Sequence, residues 1–238
     1  MWKSFSVPVA ALMLLGSAVA ASAQDGGEPL SAFQAERVER SLDSRIACRG
    51  CHQIGGRGGM IGPILDGIQD RADFDHVLSM VRDPGATVPG TIMPHQRMPE
   101  REARRLAAYV IGLPANPSPE IPAMPQAPPA LPPGAEDDGA ALYARHCAAC
   151  HGNSGAGDGW NVPNLGVAPT PHADPEAMSK RPDDTLYDGI AAGGFVLDKS
   201  PLMPAFGDLL EPEQIRALVA QIRILCGCEQ PIWAQSGR

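Results

Sequence analysis

Apolar positions along this chain recur at helical spacing, and strand signals are weak throughout. Two amphipathic stretches, Pro99 to Ile111 and Pro212 to Leu225, each have an acidic first turn and a proline suited to the first helical position. Each predicts a helix. Helix-like segments also span roughly Phe33 to Ala47 and Ala140 to His146. Shorter helices are predicted where aspartate can cap an apolar run: Asp73 before Phe74 to Val81, and Asp183 or Asp184 before Thr185 to Ala192. The expected fold class is all-α.

One apolar run, Val7 to Ala20, has a different character. It follows Lys3, is interrupted by Pro8, Gly16 and Ser17, and leads to the small-residue site Ala21-Ser22-Ala23. This pattern predicts a signal peptide over residues 1–23, cleaved before Gln24, because the run is short for a membrane span. Export to the periplasm follows, with no membrane span left after cleavage. A second break in pattern lies at residues 114–133, where nine of twenty residues are proline. Such a segment favours extended polyproline II and predicts a tether between two domains, residues 24–113 and residues 134–238, the latter ending in a C-terminal tail.

The two domains repeat the same order of features. Each opening helix leads into Cys-x-x-Cys-His, as Cys48-Arg49-Gly50-Cys51-His52 and Cys147-Ala148-Ala149-Cys150-His151. A single Cys-x-x-Cys is also compatible with a redox dithiol or a zinc half-site. Two copies, each followed directly by histidine, are the pattern of covalent haem attachment: both thiols add to the haem vinyl groups and the histidine becomes an iron ligand. Glycine-rich loops follow, Gly55 to Gly62 and Gly152 to Gly159, where the chain can pass close to a porphyrin. Next come Pro63-Ile64-Leu65 and Pro163-Asn164-Leu165, then Met93-Pro94 and Met203-Pro204. Domains this small, in a chain with 26 glycines and 25 prolines, bury little side-chain core. The expectation is that two haems c supply the missing core and that neither half folds stably without its own.

Charge changes the picture in one respect. The formal net charge is −8, and removing residues 1–23 takes it to −9. Residues 24–113 carry 12 acidic and 11 basic side chains, whereas residues 134–238 carry 14 and 7. Such a balance speaks against nucleic-acid binding and suits docking to a basic partner. There is no nucleotide-binding glycine fingerprint, serine nucleophile elbow or paired-carboxylate pattern.

The order of motifs resembles the class I cytochromes c, and the tandem arrangement resembles diheme periplasmic cytochromes c, over nearly all of the chain except the linker and tail. The resemblance implies that methionine in a Met-Pro context is the sixth iron ligand, which assigns Met93 and Met203. With His52 and His151 these would be the metal ligands. It also implies that the carbonyls of Pro63 and Pro163 accept a hydrogen bond from the motif histidines. Pro63 follows Gly62 as in the family, whereas Pro163 follows Val162. Tyr143 takes the family's aromatic position in the opening helix, and Tyr109 takes that of the first domain's last helix. Gln221 stands where an aromatic is common in the second domain's last helix.

Met98-Pro99 and His95 are rivals to Met93. The distance from Met93 to Tyr109 is 16 residues and from Met98 only 11, against 18 from Met203 to Gln221, so Met93 fits better and Met98 takes a packing position. His76, His146 and His172 are not expected to be ligands, and His146 is expected at the surface. Cys226 and Cys228 remain open as a disulfide, a copper site, a bond to another chain, or an incidental or free pair. The expected function is single-electron transfer between redox protein partners, as a carrier more than as an enzyme. Two alternatives remain: a diheme oxidoreductase acting on a small sulfur compound such as thiosulfate, or the cytochrome subunit of a larger dehydrogenase or oxidase.

Overall fold

A computed structural model describes residues 29–115 and 131–235. The signal-peptide expectation and most of the proline-rich linker lie outside these residues. Among the described residues the secondary structure is helical, with no strand and one isolated bridge between Ile54 and Arg57. No helix among them is long and apolar enough to cross a membrane.

The first half contains α1 (Ala32–Ser44), α2 (Cys48–Cys51), α3 (Phe74–Arg82), α4 (Pro84–Thr87) and α5 (Glu100–Ile111). Ser31 starts α1 through a capping box with Gln34, and Asp73 caps α3 by accepting from the His76 N–H. Val38 and Leu42 of α1 join Leu106 and Val110 of α5 in one buried cluster, while Leu78 of α3 joins Ala103 and Ala107 of α5 in another. The last helix is thus gripped on two sides, which uses the amphipathic stripe read from its sequence.

The second half contains α6 (Gly139–His146), α7 (Ala148–His151), α8 (Pro175–Ser179), α9 (Asp183–Ala192), α10 (Pro212–Cys226) and α11 (Ile232–Gln235). Asp138 caps α6, accepting from the N–H groups of Ala140 and Ala141. Leu142 and Tyr143 of α6 pack with Ile215, Leu218, Val219 and Ile222 of α10, over Met178, Ile190 and Phe206. Gln221 does not cost the two helices their contact. They meet backbone to backbone at Gly139, where a Cβ would lie 2.3 Å from the Ala217 carbonyl oxygen. Helix α9 starts two residues earlier than expected: Pro182 is its cap residue and Asp183 and Asp184 fill its first turn. Asp183 is instead tied to Arg223 of α10 at 2.8 Å. The short helices α4 and α8 were not foreseen. Each opens on Asp-Pro, with Asp83 or Asp174 capping and the proline in the first turn.

One expectation about a single residue changes, and one open question is answered. His146 is not at the surface. Its Nδ1 is buried with no hydrogen-bond partner, and its ring meets Phe206 edge-on at 5.9 Å. The residue as a whole is half-buried, with its ring turned onto Phe206. Cys226 and Cys228 are joined by a disulfide across Gly227, whose φ of 58° ends α10 in the left-handed region.

Two outcomes test this packing. Leu142 is fully buried, so Leu142→Ala should destabilise the second half by about 2–5 kcal/mol, read by denaturant unfolding of the haem-loaded protein. Burial, with a smaller contribution from Arg145, pushes His146 down from 6.5 to about 4. The unfolded chain then takes up a proton that the fold rejects, so stability is complete above about pH 6.5 and falls as pH drops towards 4. Unfolding midpoints measured across that window should lose part of their slope in His146→Leu; an unchanged slope would place the proton uptake elsewhere.

Candidate functional site

The first motif forms the single turn of α2, and a buried arginine inside the motif holds that turn in place. Arg49 is 3 % exposed. Its guanidinium pairs with Glu39 at 2.7 Å and with Asp43, both on α1, and donates to the Ile54 carbonyl at 3.3 Å. A buried cation needs such partners, and these lock the motif against the opening helix. His52 follows the turn with extended backbone and places Nδ1 2.8 Å from the Pro63 carbonyl oxygen. A carbonyl only accepts, so Nδ1 carries the proton and Nε2 keeps its lone pair. Burial pushes the His52 imidazole down, with the Pro63 bond opposing, which favours the neutral ring. Gly62 makes this approach possible: a Cβ there would lie 2.3 Å from the ring.

The second motif forms α7, with Cys147 as its cap residue. His151 uses Nδ1 in the same way, but the acceptor is the Thr170 carbonyl at 2.9 Å and not that of Pro163. Pro163 lies in a 3-10 turn over Val162–Asn164 and is exposed. Val162 stands where the first half has Gly62, and the glycine-dependent approach to the ring is not available to it. The chain therefore reaches the histidine seven residues later. His172, set aside from the sequence, lies against the site: its ring stacks on His151 with centroids 4.0 Å apart, and Nδ1 is 3.0 Å from the Tyr143 hydroxyl. Burial, then the neighbouring His151 and Arg181, push His172 down to about 2, so this ring is neutral.

Met203 is half-buried against the core of the second half, and its carbonyl accepts from the Gly194 N–H at 3.1 Å, closing the loop that carries it. Met93 is half-buried, and its N–H donates to the Thr91 hydroxyl at 3.1 Å. Met98 packs into the clusters formed by α1, α3 and α5. His95 turns towards the second half, with Nδ1 3.8 Å from Asp208.

All four motif cysteines are free thiols. Burial pushes Cys48 up to about 11 and Cys51 and Cys147 up to about 12, and raises Cys150. Among the described residues, no three His, Cys, Asp or Glu side chains converge as a metal site. Apolar, neutral thiols beside a histidine with a free Nε2 suit thioether attachment to an iron porphyrin, and the donor set fits a covalently held haem.

The two motifs meet. Asn161 is fully buried between them. Its backbone N–H donates to Ala149 of the second motif at 2.9 Å, while its side-chain Nδ2 donates to the Gly50 carbonyl of the first at 2.9 Å. Its Oδ1 accepts from the Met60 N–H at 2.9 Å, so the amide is well satisfied. Cys51 and Cys150 lie close enough that Cys150 contributes to the rise of the Cys51 pKa. At the rim, Arg97 forms a two-pronged pair with Asp208 at 2.6 and 2.7 Å. Sequence reasoning missed Arg49, Asn161, Thr170 and His172. The distinct composition of Asn161-Val162 against Ile61-Gly62 was the one available hint.

Comparison with known proteins bears on the same residues. The family described as cytochrome c oxidase, cbb3-type, subunit III, matches residues 134–222. Among solved structures, the KustC0563 c-type cytochrome is 30% identical over 38% of this chain and 95% of its own, with a TM-score of 0.30. A chain of the Kuenenia stuttgartiensis reducing HAO-like protein complex Kustc0457/Kustc0458 is 15% identical over 84% of this chain and 97% of its own, with a TM-score of 0.32. No curated protein matches. The family match falls on the second half and includes Cys147, Cys150, His151 and Met203, the residues singled out there from the sequence.

Proposed function

We propose that this chain is an exported diheme electron carrier, with one haem c on Cys48, Cys51 and His52 and another on Cys147, Cys150 and His151. The observation that carries this reading is the shared state of the two histidines. Each commits its Nδ1 proton to a backbone carbonyl, Pro63 or Thr170, and so presents Nε2 as a ligand of fixed orientation. Met93 and Met203 would take the sixth positions. Bound haem would supply a one-electron ferrous–ferric couple, with methionine raising its potential.

The chain's own residues do the rest. Arg49, held by Glu39 and Asp43, keeps the first motif seated on α1. Tyr143 and His172 brace the His151 ring through a hydrogen bond and a stacked face. The signal-like start supports cleavage before Gln24 and a periplasmic location, where haem attachment and the Cys226–Cys228 disulfide are both at home. The acidic excess of residues 134–238 supports docking of that half to a basic redox partner.

Intact mass of the exported protein should correspond to a chain starting at Gln24 with two haems, and Cys147→Ser with Cys150→Ser should remove one. A native mass with one haem or none would overturn the diheme reading. In the ferric protein both haems should be low-spin and show the weak far-red band of methionine ligation. Met203→Ala should remove that band from one haem, lower its potential and open it to carbon monoxide. A native protein that binds carbon monoxide, or that turns over thiosulfate, would move the reading from carrier to enzyme. Electron transfer to a basic partner should slow as salt rises past about 0.1 M, where the screening length falls to about 10 Å; salt-independent rates would point to apolar docking instead.

A further inference from the structure

The contact between the two motifs is tighter than joining two folded halves requires. The Gly50 carbonyl that accepts from Asn161 is bonded to the nitrogen of Cys51, and the same Asn161 Nδ2 lies 3.5 Å from Cys150 Sγ. From one motif cysteine to the other the route is therefore one peptide unit, one hydrogen bond, one amide nitrogen and one weak contact to sulfur. Gly50 also lies against the second half directly. A Cβ at this position would sit 2.0 Å from the Leu202 carbonyl oxygen, in the loop that ends at Met203. The equivalent position of the second motif is Ala149, so the motif itself tolerates a methyl group there.

We propose that Asn161 is the positioning residue for electron exchange between the two halves, holding the Gly50-Cys51 end of one motif against Cys150 of the other so that the two haems work as one coupled pair. This rests on the diheme reading above. In the exchange a single electron passes from the reduced half to the oxidised half; no bond forms or breaks, and no proton moves. Asn161 contributes by geometry. Its backbone holds the second motif and its side chain holds the first, so neither can shift without breaking a buried, satisfied amide.

Two variants of the haem-loaded protein test this. Asn161→Leu keeps the volume and removes the bonds to Gly50, Met60 and Cys150. Gly50→Ala leaves Asn161 in place but drives a methyl group into the Leu202 backbone. Both should carry two haems by intact mass, with native absorption spectra. In both, the inter-haem exchange rate, read from line broadening of haem methyl resonances in half-reduced protein, should fall by about tenfold or more. Small-angle scattering should show the halves parting in Gly50→Ala. Exchange as fast as native in both variants would overturn the proposal, as would loss of the first haem in Gly50→Ala, because position 50 would then serve attachment and not contact. A native protein with a single haem would instead overturn the diheme reading, a result the mass distinguishes before any rate is measured.

Discussion

Each half of this protein is arranged around one hydrogen bond, from a motif histidine to a backbone carbonyl. The bond demands that a loop return to the ring from outside the motif, and it dictates how the loop can do so. In the first half the return is short, because Gly62 lets the chain pass against His52 and offer the Pro63 carbonyl at 2.8 Å. In the second half that approach is not available, and the chain returns at Thr170. The detour leaves Asn161 free to face the other motif and brings His172 onto the face of His151. A single change, glycine to valine at one loop position, thus accompanies both the brace and the bridge that distinguish the second half.

The elements that could be read from the sequence are those fixed by local chemistry. Asp73 caps α3, Gly139 to His146 and the two closing helices follow their apolar stripes, and the motif turns form where the cysteine spacing requires them. What could not be read depends on distant partners. The Pro163 carbonyl has the right spacing from His151, but spacing alone does not report whether a side chain at 162 blocks the approach. His146 has the character of a surface histidine until the path of α6 turns it onto Phe206. Arg49 is one of two spacer positions in a motif that fixes neither, and the carboxylates of α1 explain why it is buried. Asn161 reads as a loop residue, and its partners lie 101 and 111 residues away.

The two halves meet through contacts of different kinds. The Arg97–Asp208 pair is exposed on the arginine side, and solvent screening leaves such pairs little net stabilisation. The Asn161 amide is buried, and removing it would leave the Gly50 carbonyl and Met60 N–H without that partner, at about 1–3 kcal/mol for each unmet group. The rim pair therefore guides orientation, while the buried amide fixes distance. Between the halves a cleft of about 590 Å³ remains beside this contact, with Arg49 and Arg57 on one wall and Leu165 and Leu202 on the other.

The cysteines of this chain divide into one bonded pair and two motif pairs. Cys226 and Cys228 are joined, while Cys48, Cys51, Cys147 and Cys150 are reduced, and only reduced thiols can add to a vinyl group. If both motifs hold haem as proposed above, biogenesis has to oxidise one pair while sparing the other two. The nearness of Cys51 to Cys150 sharpens the problem, because a premature bond between them would disable both motifs at once. On the diheme reading proposed above, safe maturation calls for haem attachment before the halves close on each other: the contact that joins the finished protein is the one its assembly has to postpone.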